Sequence, residues 1–306
     1  MNLSIITPHK NNFEGLLSIY DSLINQISQD WKWIIIDDNS DEEIRNKVSV
    51  YFKEIKKVEI LFNKNNLGPS RSRNKGVKET ESKTIVFLDS DDLITSNFVS
   101  NRLIPVGDFV VFSNMMITDE EKSYKKRFSD IKSDFLKSFL QAKFPWQTTA
   151  VLWDKTFFKT LNGFDTSLKL LEDIELSIRA LIVSENYKVL TENEIDFYYK
   201  AKPINVSSRP FYLVVDSVEK LIINIKNKVS SVEINYLSNY YYLSIRYFLR
   251  EGNSELTGLK KHLLFFKNQK IINIKLFFFG NVLLLLFPIL GKNLFLRINR
   301  KIFKKI

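Results

Sequence analysis

The chain has 306 residues, no Cys, two His, and 45 Lys and Arg against 35 Asp and Glu, for a formal net charge of +10. A hydrophobic content of 44% is typical of a globular protein and excludes a disordered chain. The absence of Cys excludes disulfide scaffolds, iron–sulfur clusters, Cys-based zinc sites and a Cys nucleophile. Two His argue against a multi-His metal site and a Ser-His-Asp triad, so any metal would be held by oxygen ligands, which favours Mg²⁺ or Mn²⁺.

The first residues carry no basic segment followed by an apolar core. Such a pattern would indicate a secretory signal. We therefore expect a cytoplasmic body.

Four short apolar runs predict buried strands, and the stretches between the first three predict helices, as at 13–27. The strands are expected at Leu3–Ile6, Trp33–Ile36, Val58–Phe62 and Thr84–Leu88. Alternation of this kind predicts an α/β fold with a mostly parallel sheet and helices on both faces. Because such sheets bind ligands beyond the carboxyl ends of their strands, the residues that follow each strand are the informative ones.

Two acidic clusters and one basic loop follow these strands, at 37–41, 89–92 and 63–76. The chain has neither the Gly-x-Gly-x-x-Gly fingerprint nor a P-loop, so dinucleotide-binding and ATPase functions lack their motifs. Closely spaced carboxylates at a strand end repel one another unless a cation lies between them, and a bridging Mg²⁺ or Mn²⁺ could hold a diphosphate. Arg71 and Arg73 offer forked donors for phosphate or base edges. The alternative for each acidic cluster is a solvated turn that caps a helix.

These segments resemble those of the family 2 inverting glycosyltransferases, which have a GT-A fold (Rossmann-like, with a mostly parallel central sheet and flanking helices). Segment 4–11 is similar to the opening strand and nucleotide-contacting turn, which implies donor contacts at Pro8 and Lys10. Segment 33–40 is similar to the strand whose Asp pair binds uracil, with Asp38 in the base-reading position.

The next two segments extend the resemblance. Segment 66–76 resembles the family's Asn-x-Gly…Ala-Arg-Asn-x-Gly motif, which implies a donor contact at Arg71. Segment 87–92 resembles the metal-binding Asp-x-Asp motif. It implies Asp91 as first choice of metal ligand, with Asp89 and Asp92 close behind, and Asp89 also near the donor.

Two later segments complete the resemblance, which covers roughly residues 1–210. Segments 162–165 and 171–179 resemble the Gly-Gly-Phe-Asp and Glu-Asp motifs and imply Asp173 as the catalytic base, beside Glu172. The alternative is that both acids merely complement the dipole of a helix that ends near Ser184. Segment 199–207 resembles the loop near the diphosphate and implies donor contacts from Lys200 and Ser207.

Other residues are interpreted without the resemblance. Trp146 and the residues up to Thr149 precede a predicted strand at 151–153 and line the acceptor site or, equally, the core. We interpret His262 as incidental, and the tyrosines between 236 and 247 as helix packing.

The excess positive charge lies in the tail, because residues 256–306 contain eleven Lys or Arg and no Asp or Glu. The apolar stretch 276–290 would reach about 22 Å as a helix, short of the roughly 30 Å hydrocarbon core, so a membrane span is not favoured. Segment 292–306 places Phe295, Ile298, Ile302 and Ile306 near one helical face among basic residues, a pattern typical of a helix lying on an anionic membrane. The alternative is a core helix of a soluble domain with a solvated basic face.

Together these patterns predict a GT-A catalytic domain at 1–210 and a helical C-terminal region at 211–306, with a basic, membrane-associating tail at 256–306. The resemblance implies inverting transfer of a sugar from a nucleoside-diphosphate sugar, with UDP favoured, to a glycan or lipid-linked acceptor in surface polysaccharide synthesis. The alternatives are a nucleotidyltransferase of similar fold and a non-catalytic, membrane-tethered nucleotide- or glycan-binding module. We expect Mn²⁺ or Mg²⁺ as cofactor, a peripheral location at the inner face of the cell membrane and no nucleic-acid partner. Homo-oligomerisation is left open.

Overall fold

The computed structural model describes residues 3–118, 123–126, 134–200, 209–251 and 255–304. The chain forms two compact units that interleave along the sequence. The first unit contains Met1–Lys132, Trp146–Thr166 and Val183–Ala201, and the second contains Ser133–Pro145, Ser167–Ile182 and Lys202–Ile306. The units therefore differ from a single cut near residue 210, because two internal segments join the C-terminal helices.

The first unit contains two sheets. The strands are β1 (Leu3–His9), β2 (Trp31–Asp37), β3 (Val58–Phe62), β4 (Thr84–Phe87), β5 (Leu93–Ile94), β6 (Phe109–Phe112), β7 (Met115–Thr118), β8 (Ser123–Lys126), β9 (Val151–Asp154), β10 (Tyr187–Leu190) and β11 (Phe197–Lys200). The larger sheet has the order β10-β6-β9-β4-β1-β2-β3, and the smaller has the order β5-β11-β7-β8. In the larger sheet only β9 runs antiparallel to its neighbours, so the predicted mostly parallel sheet is confirmed.

The four predicted strands are all present, and the central ones are buried on both faces. Ile5, Ile35 and Val86 are fully buried, as expected for parallel strands that read as continuous apolar runs. β1 and β2 extend further than predicted, to His9 and Asp37, so each of these strands ends in a polar residue.

Helices cover the first sheet and make up the described part of the second unit. They are α1 (Phe13–Ile24), α2 (Glu42–Phe52), α3 (Pro69–Glu79), α4 (Phe98–Arg102), α5 (Phe135–Leu140), α6 (Lys155–Thr160), α7 (Glu172–Val183), α8 (Phe211–Ile225), α9 (Ser231–Ile234), α10 (Ser238–Glu251), α11 (Leu256–Asn268) and α12 (Ile274–Phe303). The helix predicted at 13–27 ends at Ile24, and the strand predicted at 151–153 is present as β9. In the second unit the Tyr240 hydroxyl donates to the carbonyl of Phe139, joining α10 to α5.

The apolar C-terminal helix folds back on itself. Ile274–Phe303 is long and apolar enough to cross a membrane, but Gly291 has φ 68° and ψ 163°, which no helix contains. The rings of Phe287 and Phe295 lie 4.8 Å apart across this break, and a methyl group on Gly280 would lie 3.2 Å from the ring of Phe303. In a straight helix Gly280 and Phe303 would be about 35 Å apart. We call residues 274–290 the first arm and residues 292–303 the second arm of a helical hairpin.

The second arm buries Phe295, one of the four apolar residues that the sequence assigned to a membrane-facing side. Ile298 and Ile302 are partly exposed, and Ile306 lies outside the described residues. Phe295 and Phe303 are fully buried, and the ring of Phe303 packs 4.7 Å from that of Tyr241. Arg297, Arg300 and Lys301 remain exposed. The burial of Phe295 and Phe303 beside exposed cations agrees with the alternative of a core helix with a solvated basic face. Because Ile298 and Ile302 are partly exposed, membrane contact by this arm stays a prediction.

Candidate functional site

The carboxyl ends of β1 and β2 are tied together by their following residues. His9 and Asp37 are register partners, and the Asp38 N–H donates to the His9 carbonyl at 2.9 Å. The Asn11 N–H donates to Ser40 Oγ at 2.9 Å, and the Asp41 N–H donates to Asn11 Oδ1 at 2.8 Å. The predicted convergence of polar residues at one sheet edge is therefore present for these two strands.

His9 and Asp37 form a buried pair at this edge. His9 Nε2 lies 3.1 Å from Asp37 Oδ2, and both side chains are inaccessible to solvent. Burial acts to raise the pKa of Asp37, but His9 and the hydrogen bonds from Ser40 outweigh it and hold that pKa below its usual value. Asp37 is therefore an ionised carboxylate that fixes the strand ends, and it is not exposed to a ligand.

Asp38 organises the basic loop that precedes α3. Its Oδ1 accepts hydrogen bonds from Asn63 Nδ2 at 2.8 Å and from the Leu67 N–H at 2.9 Å, and its Oδ2 accepts from the Gly68 N–H at 2.7 Å. A carboxylate has about four lone-pair directions. The predicted base-reading residue therefore has three of its acceptor positions engaged by the protein, with capacity for about one further donor.

Arg73, rather than Arg71, reaches the acidic turn that follows β4. Arg73 Nη2 lies 2.5 Å from Asp89 Oδ1, and the guanidinium lies 5.2 Å from the centre of the Phe164 ring. Arg73 is 4% exposed. Residues two apart on a helix lie about 200° apart, and Arg71 accordingly faces solvent.

Arg71 lines a groove of about 510 Å³ along α3 and α6. The groove is lined by Arg71, Asn74, Lys75, Val77, Lys78, Phe158, Lys159, Asn162, Gly163 and Thr166. The structure brings Arg73, and not the exposed Arg71, into contact with the acidic turn, and the donor contact assigned to Arg71 stays a prediction.

The turn after β1 also holds the acidic turn in place. Asn12 Nδ2 donates to the Ser90 carbonyl at 2.9 Å and to Ser90 Oγ at 3.1 Å, while Asn12 Oδ1 caps α1 by accepting from the Gly15 N–H at 3.1 Å. A Cβ at residue 15 would lie 2.1 Å from the Ser90 carbonyl oxygen. Glycine at this position is therefore what lets α1 and the acidic turn approach each other.

The three aspartates of the turn have different surroundings. Asp91 is exposed and Asp89 is partly exposed, whereas Asp92 is 2% exposed. Asp92 Oδ2 accepts from Thr149 Oγ1 at 2.7 Å, and its Oδ1 accepts from the Lys200 N–H at 3.4 Å. Burial, and then the charges of Asp89 and Asp91, raise the pKa of Asp92 well above its usual value. Asp92 is therefore an inward-facing group, and the expectation that it binds the metal is not supported.

A divalent cation fits the remaining pair of carboxylates. In the described part of the chain, no group of three or more His, Cys, Asp or Glu is placed to hold a metal. A protein Mg²⁺ site needs only one or two carboxylates when substrate phosphates and water complete the octahedron. The repulsion that raises the pKa of Asp92 shows that Asp89 and Asp91 make this turn electronegative. Asp91 and Asp89 are thus a suitable oxygen donor set for a cation shared with a diphosphate.

The other predicted donor-binding residues lie in several places. Pro8 is half-buried in β1 beside Ile36, and Lys10 is exposed just after that strand. Lys200 is exposed at the end of β11, and its backbone is joined to Asp92. Ser207 lies outside the described residues.

Glu172 and Asp173 form the first turn of α7, as predicted, and the helix ends at Val183. Both side chains are partly exposed and belong to the second unit. The Ile174 N–H donates to Asp173 Oδ1 at 2.9 Å. Burial, and then the charge of Asp173, raise the pKa of Tyr240, so Asp173 acts on a buried phenol of α10. Glu175, which the sequence analysis did not single out, binds Arg179 at 2.6 Å and 2.7 Å.

Sequence reasoning did not assign a positioning role to the residues that hold the site in place. Asn12, Asn63 and Thr149 each hold an aspartate or its turn through a side-chain hydrogen bond. Trp146 is 2% exposed, which favours the core alternative over an acceptor platform. A local signal existed only for Asn12, which stands where a helix N-cap is expected.

Comparison with known proteins addresses the family directly. The model of the family described as "Glycosyl transferase family 2" matches residues 4–158, which is half of the chain. An uncharacterized glycosyltransferase of Rickettsia bellii is 36% identical over 33% of this chain. The match spans only 14% of that relative's length. A UDP-Glc:alpha-D-GlcNAc-diphosphoundecaprenol beta-1,3-glucosyltransferase (WfgD) of Escherichia coli is 23% identical, covering 88% of this chain and 98% of that protein.

Solved structures show the same fold. The crystal structure of Staphylococcus aureus TarS 1–349 in complex with UDP-GlcNAc is similar with a TM-score of 0.67 and 15% identity, covering 98% of this chain and 91% of that one. The parallel core with its β9 reversal is thus of the GT-A type. The strand order, the acidic turn after β4 and the family match over residues 4–158 lead to one conclusion: the chain belongs to glycosyl transferase family 2.

Proposed function

We propose that this protein transfers a sugar from a nucleoside-diphosphate sugar to a hydroxyl of an acceptor, with inversion at the anomeric carbon. The observation that carries the proposal is the acidic turn after β4, in which Asp89 is held by Arg73 while Asp91 is exposed. The turn is next to the tied ends of β1 and β2, where Asp38 retains capacity for one further donor. Such a sheet edge can bind the nucleobase of a donor near Asp38 and its metal-bound diphosphate near the acidic turn.

The metal-binding roles are proposed from this arrangement, and the role of the base is proposed from the family resemblance. Asp91 and Asp89 would hold Mn²⁺ or Mg²⁺, which supplies charge neutralisation to the leaving nucleoside diphosphate. Asp173 accepts the proton of the acceptor hydroxyl as its oxygen forms a bond to the anomeric carbon and the bond from that carbon to the diphosphate breaks. Glu172 neighbours the base. One base is enough because the diphosphate leaves without needing a proton, unlike the leaving alcohol in glycoside hydrolysis.

The donor is proposed to be a UDP-sugar. Asp38 has acceptor capacity for an imide N–H of uracil, and Pro8 and Lys10 lie at the end of the neighbouring strand β1. Lys200 and Ser207 are proposed to contact the diphosphate. The E. coli relative acts on a UDP-sugar and a diphosphoundecaprenol acceptor, which supports a lipid-linked acceptor and a role in surface polysaccharide synthesis here.

A lipid-linked acceptor requires the enzyme to work at a membrane. The tail at 256–306 supplies a long apolar segment and eleven basic residues without acidic ones. We therefore propose that the protein is peripheral at the cytoplasmic face of the cell membrane.

Donor specificity is tested by calorimetric binding of UDP, GDP, UDP-sugars and GDP-mannose with and without Mn²⁺. The proposal expects UDP and a UDP-sugar to bind, to bind more tightly with Mn²⁺, and to lose that metal effect in Asp91→Asn. Glu81→Gln, which neutralises an exposed acid before β4, is the matched control and should retain it. If no nucleotide binds in the presence of Mn²⁺, the proposed function is wrong. Preferential GDP binding would overturn the uridine assignment alone.

A further inference from the structure

The outward side of the first arm is apolar along most of its length. Ile274, Phe278, Leu285 and Ile289 are 65%, 67%, 67% and 82% exposed. Their spacing of four, seven and four residues places them on one side of the helix. The partly exposed Asn281 interrupts this side between Phe278 and Leu285, and its amide donates to the Phe277 carbonyl. Phe279 and Leu286 widen this side. We call these six residues the apolar stripe.

The opposite side of the first arm is packed within the second unit. Gly280, Leu283, Leu284 and Phe287 are buried, and Gly280 lies directly against Leu263 of α11. The hairpin is thus docked by one side, which fixes the apolar stripe outward. Soluble monomers rarely expose a continuous apolar patch of this kind unless it binds a partner or a membrane.

The charges around the stripe select its partner. Lys275 lies on the first arm, and Lys292, Arg297, Arg300 and Lys301 are exposed on the second arm. Residues 256–306 contain no Asp or Glu. A second copy of this surface would bring like charges together, whereas anionic lipid headgroups attract clustered Lys and Arg at about 1 kcal/mol per residue.

The hairpin geometry decides how the lipid is contacted. The first arm is about 25 Å long at 1.5 Å per residue, short of a hydrocarbon core of roughly 30 Å. The second arm carries four exposed cations, which makes its entry into hydrocarbon costly. Neither arm suits a span, and the sharp break at Gly291 prevents the two from joining into one.

We infer that the first arm lies in the plane of an anionic membrane surface, with the apolar stripe immersed at the boundary between headgroups and acyl chains. The contact is made by the first arm, not by the apolar face of residues 292–306, and the chain does not cross the bilayer through this segment. The inference deepens the membrane location proposed above and rests on that proposed function for its purpose, although the lipid contact itself is a separate physical claim.

Vesicle flotation of the full chain tests the surface. We expect binding to phosphatidylcholine vesicles that contain phosphatidylglycerol, weaker binding to phosphatidylcholine alone, and at least a tenfold loss for the triple variant Phe278→Ser, Leu285→Ser, Ile289→Ser. The matched control is Ile27→Ser, Val50→Ser, Val232→Ser, which removes equally exposed apolar side chains elsewhere and should bind as the unchanged protein does. Equal loss in both triple variants, or none in the first, overturns the inference.

The depth of spin labels in the bilayer tests the orientation of the first arm. Because the chain has no Cys, each introduced Cys is the single labelling site. Labels placed by Phe278→Cys, Leu285→Cys and Ile289→Cys should report similar depths, about 5–10 Å below the headgroups. A span would instead give depths that change progressively along the arm by up to about 16 Å. Progressive depths therefore contradict the in-plane arrangement.

Two controls separate this inference from the proposed function and from self-association. UDP binding by the first triple variant should equal that of the unchanged protein, because the substitutions lie outside the nucleotide site. If the unchanged protein binds vesicles but no nucleotide, this inference stands and the proposed function is wrong. Sedimentation equilibrium without lipid should give the same oligomeric state for the unchanged protein and for the triple variant. A dimer that depends on the apolar stripe would make a second copy its partner and overturn the inference.

Discussion

Arg73 Nη2 lies 2.5 Å from Asp89 Oδ1, and this contact joins the middle of α3 to the acidic turn after β4. Arg73 is almost fully buried, while the Asp89 side chain is 33% exposed. A buried, forked cation can hold the carboxylate in one orientation and leave its other oxygen for a metal or donor. Arg73 is therefore a positioning residue for the turn that the proposed reaction depends on.

Arg73→Lys should lower transfer by about 10–100-fold, which is the usual cost of removing a residue that orients a metal ligand. Lysine retains the charge but not the planar fork, and its ammonium does not stack as well on Phe164. Steady-state kinetics at several Mn²⁺ concentrations measure the effect, which should include weaker apparent metal affinity. Arg71→Lys, on the outer side of α3, should cost less. A larger loss at Arg71 would restore the sequence-based assignment and contradict the structural one.

Gly15→Ala should both destabilise the first unit and weaken metal-dependent donor binding. The added methyl would lie 2.1 Å from the Ser90 carbonyl oxygen, so α1 and the acidic turn must separate. Overpacking of this kind costs about 1–3 kcal/mol. Chemical denaturation and UDP calorimetry measure the two effects. Ser18→Ala, on the exposed side of α1, is the control and should change neither, and unchanged stability in Gly15→Ala would show that the contact is not tight.

Asp92→Asn should stabilise the protein at neutral pH without added metal. The folded-state pKa of Asp92 is raised by burial and by Asp89 and Asp91. The folded protein therefore retains this proton more strongly than the unfolded chain, and stability is lost as pH rises from about 3.9 through the folded pKa. A neutral amide removes that loss, with a gain of about 0.5–2 kcal/mol typical of stabilising substitutions. Thermal melts in EDTA should differ at pH 7.5 and converge near pH 4, and a pH-independent difference would contradict this explanation.

His262 should make the second unit less stable in mild acid. Its Nδ1 lies 2.8 Å from Glu219 Oε1 and its Nε2 lies 3.0 Å from Ser244 Oγ, with the ring fully buried. Burial lowers its pKa below the ordinary value of 6.5, although Glu219 acts to raise it. The unfolded chain therefore takes up the proton first, so stability is present above about pH 6.5 and is lost as pH falls below it.

Melting temperatures between pH 7.5 and 5 test this assignment. The unchanged protein should lose stability over that range, and His262→Gln, which keeps polar atoms for both neighbours, should lose less. His9 is the only other histidine and remains in both proteins. Parallel pH profiles would show that His262 does not titrate with unfolding.

The strands and the start of α7 were predictable because their signals are local. Continuous apolar runs mark β1 to β4, and the acidic pair at 172–173 marks a helix N-terminus. The partners of His262 were not predictable, because Glu219 and Ser244 are brought to it by the packing of α8, α10 and α11. His262 therefore has a structural role, and its interpretation as incidental to the function stays a prediction.

The helical hairpin and the different surroundings of the three aspartates in the acidic turn were also not predictable from the sequence. Three aspartates within four residues look alike in sequence, and burial and the hydrogen bond from Thr149 distinguish Asp92. Apolar periodicity at 292–306 indicates a helix side but does not say whether protein or lipid covers it. The positive φ of Gly291 reverses the chain, and Phe287 and Tyr241 then cover that side.

The transfer rate of Asp173→Asn tests the proposed chemistry most directly. With a UDP-sugar that binds the unchanged protein, Mn²⁺ and a lipid-linked acceptor, the variant should bind donor with unaltered affinity but transfer sugar at least 10²-fold more slowly, since general-base catalysis typically contributes 10²–10⁴-fold. Glu172→Gln provides the neighbouring comparison. Full transfer by Asp173→Asn would contradict the assignment of Asp173 as the base and, with it, the proposed mechanism.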